Sequence, residues 1–512
     1  MSQSTDQFRS CSIVIFGVTG DLTRRKLIPA LYRLFCDRLL PVRLQIMGFA
    51  RRDWSQDYFK QRMHEALVTS HVSLDHWEEF SCCLKYHRCH FDESYDGLRE
   101  VIQKWETEGK QEHAGNRLFY LATPPSHFTT IIDRLGAHGL IYPYKQAKNT
   151  SSVEAWSRVV IEKPFGHSFA SSKALQQHIT QVLSEDQIFR IDHYLGKETV
   201  QNILALRFGN SIFESLWNHR YVESVHITVS EHIGIEGRGA FFEESGFLRD
   251  IVQNHMMQLL SLIAMEPPIS LLPDAVRDEK VKALQALRLL PREEVNNFVV
   301  RGQYGPGSVH GKSVGSYRDE EGVHPDSCTE TFVFIKTFID SWRWSGVPFY
   351  LCGGKRLEER KTEINIVFKK VPGMNWFGDY ANILRIRIQP DEGIALSMSC
   401  KEPGLPQWKT GSTRVMNMRP VEMNFRYEQA FSVSVREPYE RLIFDSILGD
   451  TTLFARDDEV FASWAWIDSI IKGWKEGPKP SFPNYISGTW GPPLDSSWGF
   501  SGMVFPDTIG ER

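Results

Sequence analysis

Two short stretches of this chain carry side chains that could run the acid–base oxidation of an alcohol. The first is Arg190–Glu198, RIDHYLGKE, which gathers Asp192, His193, Tyr194 and Lys197 around a glycine turn at Gly196. An imidazole, a phenol and an ammonium in such close succession are donors suited to a phosphate group. The second is Gly246–Leu260, GFLRDIVQNHMMQLL, read as a helix whose apolar stripe runs through Phe247, Ile251, Leu259 and on to Ile263. His255 falls on that stripe. A histidine so placed is a core residue unless chemistry demands it, and here chemistry supplies a reason. Oxidising a hydroxyl requires a base for its proton while hydride leaves for a nicotinamide, and neutral imidazole serves that purpose near pH 7. A carboxylate on the other ring nitrogen would orient the imidazole and stabilise the imidazolium. Asp192 is the expected partner, forming a dyad with His255.

A nicotinamide needs a dinucleotide site, and the first strand–helix junction offers one. Ser12–Phe16 reads as a buried strand, Arg24–Arg38 as a helix, and Gly17-Val18-Thr19-Gly20-Asp21-Leu22 lies between them. Glycine there lets backbone amides approach a pyrophosphate, and the helix amino terminus adds partial positive charge. The spacing is G-x-x-G, which also suits a plain strand–helix turn. The next strand, Leu44–Phe49, runs into Ala50-Arg51-Arg52-Asp53. Guanidinium groups at that strand end suit a ribose 2′-phosphate, so NADP is expected over NAD. Asp53 is the opposing signal, and is expected to face solvent or to pair with one of the two arginines.

These residues need a scaffold, and the patterning supplies it. Arg117–Ala122 and Val159–Glu162 are further strand runs separated by helical segments, and such alternation predicts a parallel sheet covered on both faces. Beyond about residue 200 the pattern turns to period two. Val225, Ile227 and Val229 alternate with His226, Thr228 and Ser230, and Leu384, Ile386 and Ile388 with Arg385, Arg387 and Gln389. That is the mark of antiparallel strands with one buried and one polar face. The expected organisation is a tail over 1–11, a Rossmann domain over 12–187, and a larger β+α domain over 188–512. The latter carries a big, mainly antiparallel sheet and closes on an irregular tail from Gly477.

Composition bounds the partners. Of 512 residues, 41% are hydrophobic and 24% charged, enough for a real core. A net charge of -4 gives no general attraction to nucleic acid. No segment approaches the ~20 apolar residues of a membrane span, and the amino terminus lacks a signal-peptide pattern. Eight cysteines without framework spacing suit reduced thiols in a cytoplasm. Cys82, Cys83, His87, Cys89 and His90 cluster, but without paired ligand spacing, so no metal is expected.

RIDHYLGKE occurs with Glu162–Gly166 (EKPFG), GVTGDLT, Glu236–Gly239 (EGRG), Arg249–His255 (RDIVQNH), VRDEKVK, GVPFYLCGGK and IQPDEG. They fall along the chain in the family's order, and the chain resembles the glucose-6-phosphate dehydrogenases over roughly residues 12 to 490. The resemblance implies oxidation of D-glucose 6-phosphate at C1 to 6-phospho-D-glucono-1,5-lactone with NADP, the opening of the oxidative pentose phosphate pathway, in a cytoplasmic homodimer or homotetramer whose 188–512 domain serves substrate binding and dimerisation. It implies His255 as general base and Asp192 as its supporting carboxylate. It implies His193, Tyr194 and Lys197 as phosphate ligands, and Glu231 and Asp250 as carboxylates on the sugar hydroxyls. Lys355, Arg360 and the more peripheral Gln389 match further substrate contacts. Lys163 matches a lysine touching both sugar and cofactor, with Pro164 beside it. Thr19 and Arg51 match the 2′-phosphate side of a site formed with Gly17, Gly20, Asp21 and Leu22. Of Arg24, Arg25 and Lys26, only Lys26 matches a lysine that reaches the site. Trp490, in Gly488-Thr489-Trp490-Gly491-Pro492, stands where some members carry an arginine for a second, structural NADP, so that nucleotide is not expected. Two other readings compete: a glucose–fructose oxidoreductase-like enzyme, which would not need the His193–Lys197 donors, and a sugar-phosphate sensor, which would not need His255.

Overall fold

The computed structural model describes residues 10–108, 115–143, 155–372, 380–404, 407–409, 413–415, 417–431, 436–494 and 498. Contacts divide the chain into two compact units. One comprises the chain up to Gly196 with Ser270–Arg277 and Arg436–Phe461; the other comprises Lys197–Ile269, Asp278–Val435 and the chain from Ala462. Residues 1–9 of the expected tail lie outside the described residues, and Ser10 and Cys11 already belong to the first strand.

The first unit is built on strands β1 (Ser10–Phe16), β2 (Arg43–Ala50), β3 (Leu84–Arg88), β4 (Asn116–Leu121), β5 (Ser157–Ile161) and β6 (Ile188–Ile191). They run parallel in the order β3-β2-β1-β4-β5-β6. This is the doubly wound arrangement of a Rossmann domain, with the order reversing beside β1. Every residue of β1 is buried, because helices cover both faces. Beyond β6 the sheet gains an antiparallel strand, Phe454–Ala455, from near the chain's end. The helix before it, Pro438–Leu448, stops at Gly449 in a left-handed conformation, and Arg158 donates to the carbonyls of Ser446 and Ile447 at 2.9 and 2.5 Å. A guanidinium there satisfies acceptors that a helix end leaves open.

The second unit holds an eight-stranded sheet of β7 (Val222–Ser230), β8 (Val299–Gly302), β9 (Phe332–Phe338), β10 (Pro348–Gly354), β11 (Lys361–Phe368), β12 (Ile383–Gln389), β13 (Gly393–Lys401) and β14 (Met418–Arg426). Its order is β14-β13-β12-β11-β7-β10-β9-β8, and only the β7–β10 pair is parallel. The sheet is therefore mainly antiparallel. In β12 the alternation read from the sequence holds, with Leu384, Ile386 and Ile388 buried between half-buried Arg385, Arg387 and Gln389. In β7 it does not: His226, Thr228 and Ser230 are buried as well. On that face the Tyr350 ring of the adjacent strand β10, in register with His226, stacks on it at 4.8 Å and takes the place of solvent. Burial pushes the His226 imidazole down to about 4, so it stays neutral there.

Candidate functional site

In the first unit, β1 hands over to a tight turn at Gly17–Gly20, and a helix starts at Asp21 and runs to Cys36. Gly17 has φ +79°, and a Cβ added to it would lie 2.4 Å from the Ala122 carbonyl oxygen at the end of β4. Only glycine fits that approach. The Gly20 amide closes the turn on the Gly17 carbonyl at 2.9 Å. The first amides of the helix that follows have no carbonyl one turn back, so they are donors aimed at the crevice beside the sheet's switch point. Thr19 and Leu22 are half-buried along this turn and Asp21 is exposed, paired with Arg24 and Arg25 at 3.5 and 3.3 Å. Lys26 pairs with Glu437 at 3.0 Å. Arg51 and Arg52 are exposed just past the end of β2. The geometry fits a dinucleotide: a turn with no room for a side chain, a helix start, and guanidinium groups at the strand where a ribose would lie. Asp53 faces solvent, one of its two expected placements. It pairs with Arg88 of β3 at 2.8 Å and not with Arg51 or Arg52, because the sheet register sets Arg88 opposite Ala50.

The same unit carries the carboxyl ends of β5 and β6. After β5 come Glu162 and Lys163, both half-buried, and a cis Lys163–Pro164 peptide. Glu162 accepts the Tyr120 hydroxyl at 2.6 Å and is also bonded by Tyr439. Although Glu162 keeps some surface, its carboxyl is closed in by these rings. Burial pushes it up to about 7, against the lowering effect of both hydroxyls and of Lys163. After β6, Asp192 is buried and accepts the Tyr194 amide at 3.0 Å, and the Leu195 amide returns to the Asp192 carbonyl at 3.0 Å. The His193 ring lies 5.2 Å from Tyr194 and stacks at 6.4 Å on Tyr439. Gly196 is required by contact: a Cβ there would meet the Pro438 carbonyl oxygen at 2.7 Å.

In the second unit His255 is 1% exposed on a helix of wide π turns, Leu248–Met256, which continues as the α-helix Met257–Ala264. The sequence predicts one regular helix from Gly246. Instead, Gly246 breaks the chain at φ +61°, and π turns follow; such turns are frequent at functional sites. Both ends of this helix are held. At its start the buried Glu330 carboxylate accepts the Leu248 amide at 3.0 Å, and the Glu330 carbonyl accepts the Phe247 amide at 3.0 Å. At its end the carbonyls of Leu262, Ile263, Ala264 and Met265 each receive a side-chain donor at 2.8 Å, from Arg207, Trp217, Trp344 and Arg207 respectively. Arg207 is fully buried, and desolvation lowers its guanidinium to about 10 even with Glu214 beside it. A side chain held on so constrained a helix keeps its orientation.

Other expected ligands in this unit are already paired. The Lys355 ammonium, 1% exposed, lies 2.5 Å from Glu231 Oε2 and faces the Phe242 ring at 5.4 Å. Lys197 donates to Gln389 Oε1 at 2.6 Å, and Gln389 donates on to the Thr362 hydroxyl at 3.1 Å. Asp250 is half-buried on the first π turn. Arg360 is exposed, and with Gln389, His232, Lys361, Arg385 and Arg387 it lines a cavity of about 590 Å³. Sequence reasoning missed Tyr439, Glu330, Arg207 and Arg88. Each acts on a partner distant along the chain, and no local spacing marks it. Among the described residues no group of three metal-binding side chains is gathered, and no helix is long and apolar enough to cross a membrane.

Comparison with known proteins gives two matching family descriptions: "Glucose-6-phosphate dehydrogenase, NAD binding domain" over residues 14–202 and "Glucose-6-phosphate dehydrogenase, C-terminal domain" over 204–498. The glucose-6-phosphate 1-dehydrogenase of Chlamydia pneumoniae is 49% identical, covering 94% of this chain and 93% of its own. That of Bacillus subtilis is 42% identical, covering 95% and 96%. Among solved structures, a glucose-6-phosphate dehydrogenase in complex with its substrate glucose-6-phosphate superposes with a TM-score of 0.83 at 36% identity, covering 96% of both chains. The enzyme from Mycobacterium avium superposes with a TM-score of 0.75 at 32% identity, covering 95% of both.

Proposed function

Since the chain belongs to the glucose-6-phosphate dehydrogenase family, and is thereby an oxidoreductase of carbohydrate metabolism with a nicotinamide cofactor, we propose that NADP is that cofactor and that the side chains described above divide the work. The reaction is oxidation of D-glucose 6-phosphate at C1 to 6-phospho-D-glucono-1,5-lactone, the first step of the pentose phosphate pathway. The bound nicotinamide supplies the hydride acceptor. His255 takes the C1 hydroxyl proton as general base, and Asp192 supports the imidazolium that results. His193, Tyr194 and Lys197, with Arg360 and Gln389, hold the phosphate. Glu231, Asp250 and Lys355 orient the sugar hydroxyls, and Lys163 serves both sugar and cofactor. Gly17, Thr19, Gly20, Asp21, Leu22 and Arg51 hold the dinucleotide.

The observation that carries this reading is the burial of His255 on a helix anchored at both ends by Glu330 and by Arg207, Trp217 and Trp344. An ordinary core position would be filled by an apolar side chain; so much structure around an imidazole suits a base that must not turn. The arginines at the end of β2 support NADP. Eight cysteines without a disulfide support a cytoplasmic enzyme, and a homodimer or homotetramer is proposed from the family. Initial rates decide the matter when glucose 6-phosphate and glucose are each offered with NADP and with NAD. Fast reduction of NADP with the phosphorylated sugar alone is expected. Equal rates with glucose and glucose 6-phosphate would reject the proposed substrate, and a preference for NAD would reject the proposed cofactor.

A further inference from the structure

A carboxylate at the end of the second strand of a dinucleotide-binding sheet accepts hydrogen bonds from a ribose 2′-hydroxyl and repels a phosphate placed there. Asp53 stands close to that position. Its Oδ1 lies 2.8 Å from Arg88 Nη1. Arg88 ends β3 and is in register with Ala50, which ends β2. The two strand ends are tied further by the Cys89 amide, which donates to the Ala50 carbonyl at 3.1 Å. The Tyr86 hydroxyl donates to the Arg52 carbonyl at 2.6 Å, so the Arg51–Asp53 turn is fastened to β3. Arg52 itself leans over the Trp54 indole at 5.7 Å.

We propose that Arg88 is a specificity-determining residue for the cofactor: by pairing with Asp53 it masks the carboxylate that would favour a free 2′-hydroxyl, and leaves Arg51 and Arg52 to attract a 2′-phosphate. The inference rests on the NADP reading above. Three guanidinium groups against one carboxylate give this corner a net charge of +2, which falls to +1 without Arg88. The pair is exposed, at 56% for Arg88 and 81% for Asp53, so it contributes little to folding. Its consequence falls on whatever anion binds beside it. Arg88 is a positioning residue here, acting through Asp53.

The test uses the full chain and two probes that differ by one group, 2′,5′-ADP and 5′-AMP, titrated at low ionic strength. Arg88→Ala should weaken 2′,5′-ADP by about 5–10-fold, the effect of one charge on a nearby dianion in water, and leave 5′-AMP unchanged. Arg88→Ala combined with Asp53→Asn should recover most of that loss. The same ordering should hold in kcat/KM for NADP against NAD. An equal loss for both probes, no loss for either, or no recovery in the double variant would each overturn the masking role. Arg51→Ala separates this inference from the reading beneath it. If the unaltered chain prefers 2′,5′-ADP and Arg51→Ala abolishes that preference while Arg88→Ala does nothing, only the Arg88 inference fails. If the unaltered chain binds both probes equally, the NADP reading fails with it.

Discussion

Gly246→Ala is the sharpest probe of how His255, the proposed base, is held. Gly246 adopts φ +61° and ψ 178°, a region open in practice to glycine alone. A Cβ added there would lie 2.3 Å from Glu330 Oε1 and 2.7 Å from its carboxyl carbon. That oxygen accepts the Leu248 amide at 3.0 Å in a buried setting. The substitution therefore incurs backbone strain of about 1–3 kcal/mol. It also forces a buried carboxylate off its amide, at about 1–3 kcal/mol more. A total of about 4 kcal/mol is a large fraction of a typical folding free energy and, in a chain of this size, should lower the melting temperature by roughly 4–7 °C. Thermal unfolding measures the first consequence. Rates taken well below both transitions measure the second, a fall in kcat larger than any rise in KM, because Asp250 and His255 ride on the displaced helix. Gly311→Ala is the control. Gly311 also has positive φ, +76°, but nothing lies within 4 Å of its added Cβ, so only a strain of about 1 kcal/mol is expected. Equal destabilisation by the two alanines would refute the argument. So would a full Gly246→Ala penalty in a Glu330→Ala background, where the overlap is gone and a coupling energy should appear.

Three further outcomes follow from the site. His255→Asn should lower turnover by orders of magnitude while sugar-phosphate affinity changes little, and near-normal turnover would remove His255 from its role. Glu231→Gln should leave the Lys355 ammonium buried with a weaker partner, destabilising by about 1–3 kcal/mol in urea unfolding and raising KM; an unchanged midpoint would mean that the 2.5 Å pair is not felt. Glu162 gives a pH signature. Burial pushes its carboxyl up to about 7 from 4.5, so the folded chain binds this proton more tightly than the unfolded chain. The associated stability is full below pH ~4.5 and is lost as pH rises through ~7. Glu162→Gln should flatten that decline, which reaches about 3 kcal/mol at most. Denaturation midpoints that fall with pH as steeply as before would assign the decline to another group.

What could be read from the sequence is what local rules dictate. The Gly17–Gly20 turn was legible because a strand, a glycine pair and a helix sit side by side in the chain. The dinucleotide-binding sheet was legible because its central strands each carry an apolar run, whereas the edge strand β3, LKYHR, does not. His255 stood out because an imidazole interrupts an apolar stripe and the chemistry needs a base. The π turns around it were not legible, since they depend on Gly246 meeting Glu330, a contact between residues far apart in sequence. Nothing local marks Arg207, which is fully buried because four carbonyls at the end of a later helix need donors and it supplies two of them. The polar residues of β7 read as a solvent face because a sequence shows alternation but not what lies across it. Asp53 faces solvent as one reading of the sequence has it, but its partner Arg88 is set by sheet register and not by chain neighbourhood.

The strand Phe454–Ala455 and the helix before it bear on how the protein is made. Translation delivers β1 to β6 first, but the edge of β6, the acceptors for Arg158 and the tyrosine beside Glu162 emerge only near the end of synthesis. Until then the nascent nucleotide-binding unit has an open strand edge, a hazard for pairing with other chains. Its completion must wait for nearly the whole second unit to leave the ribosome. A message cut short anywhere before codon 436 would yield a first unit lacking its last strand and the helix before it, with the edge of β6 left open.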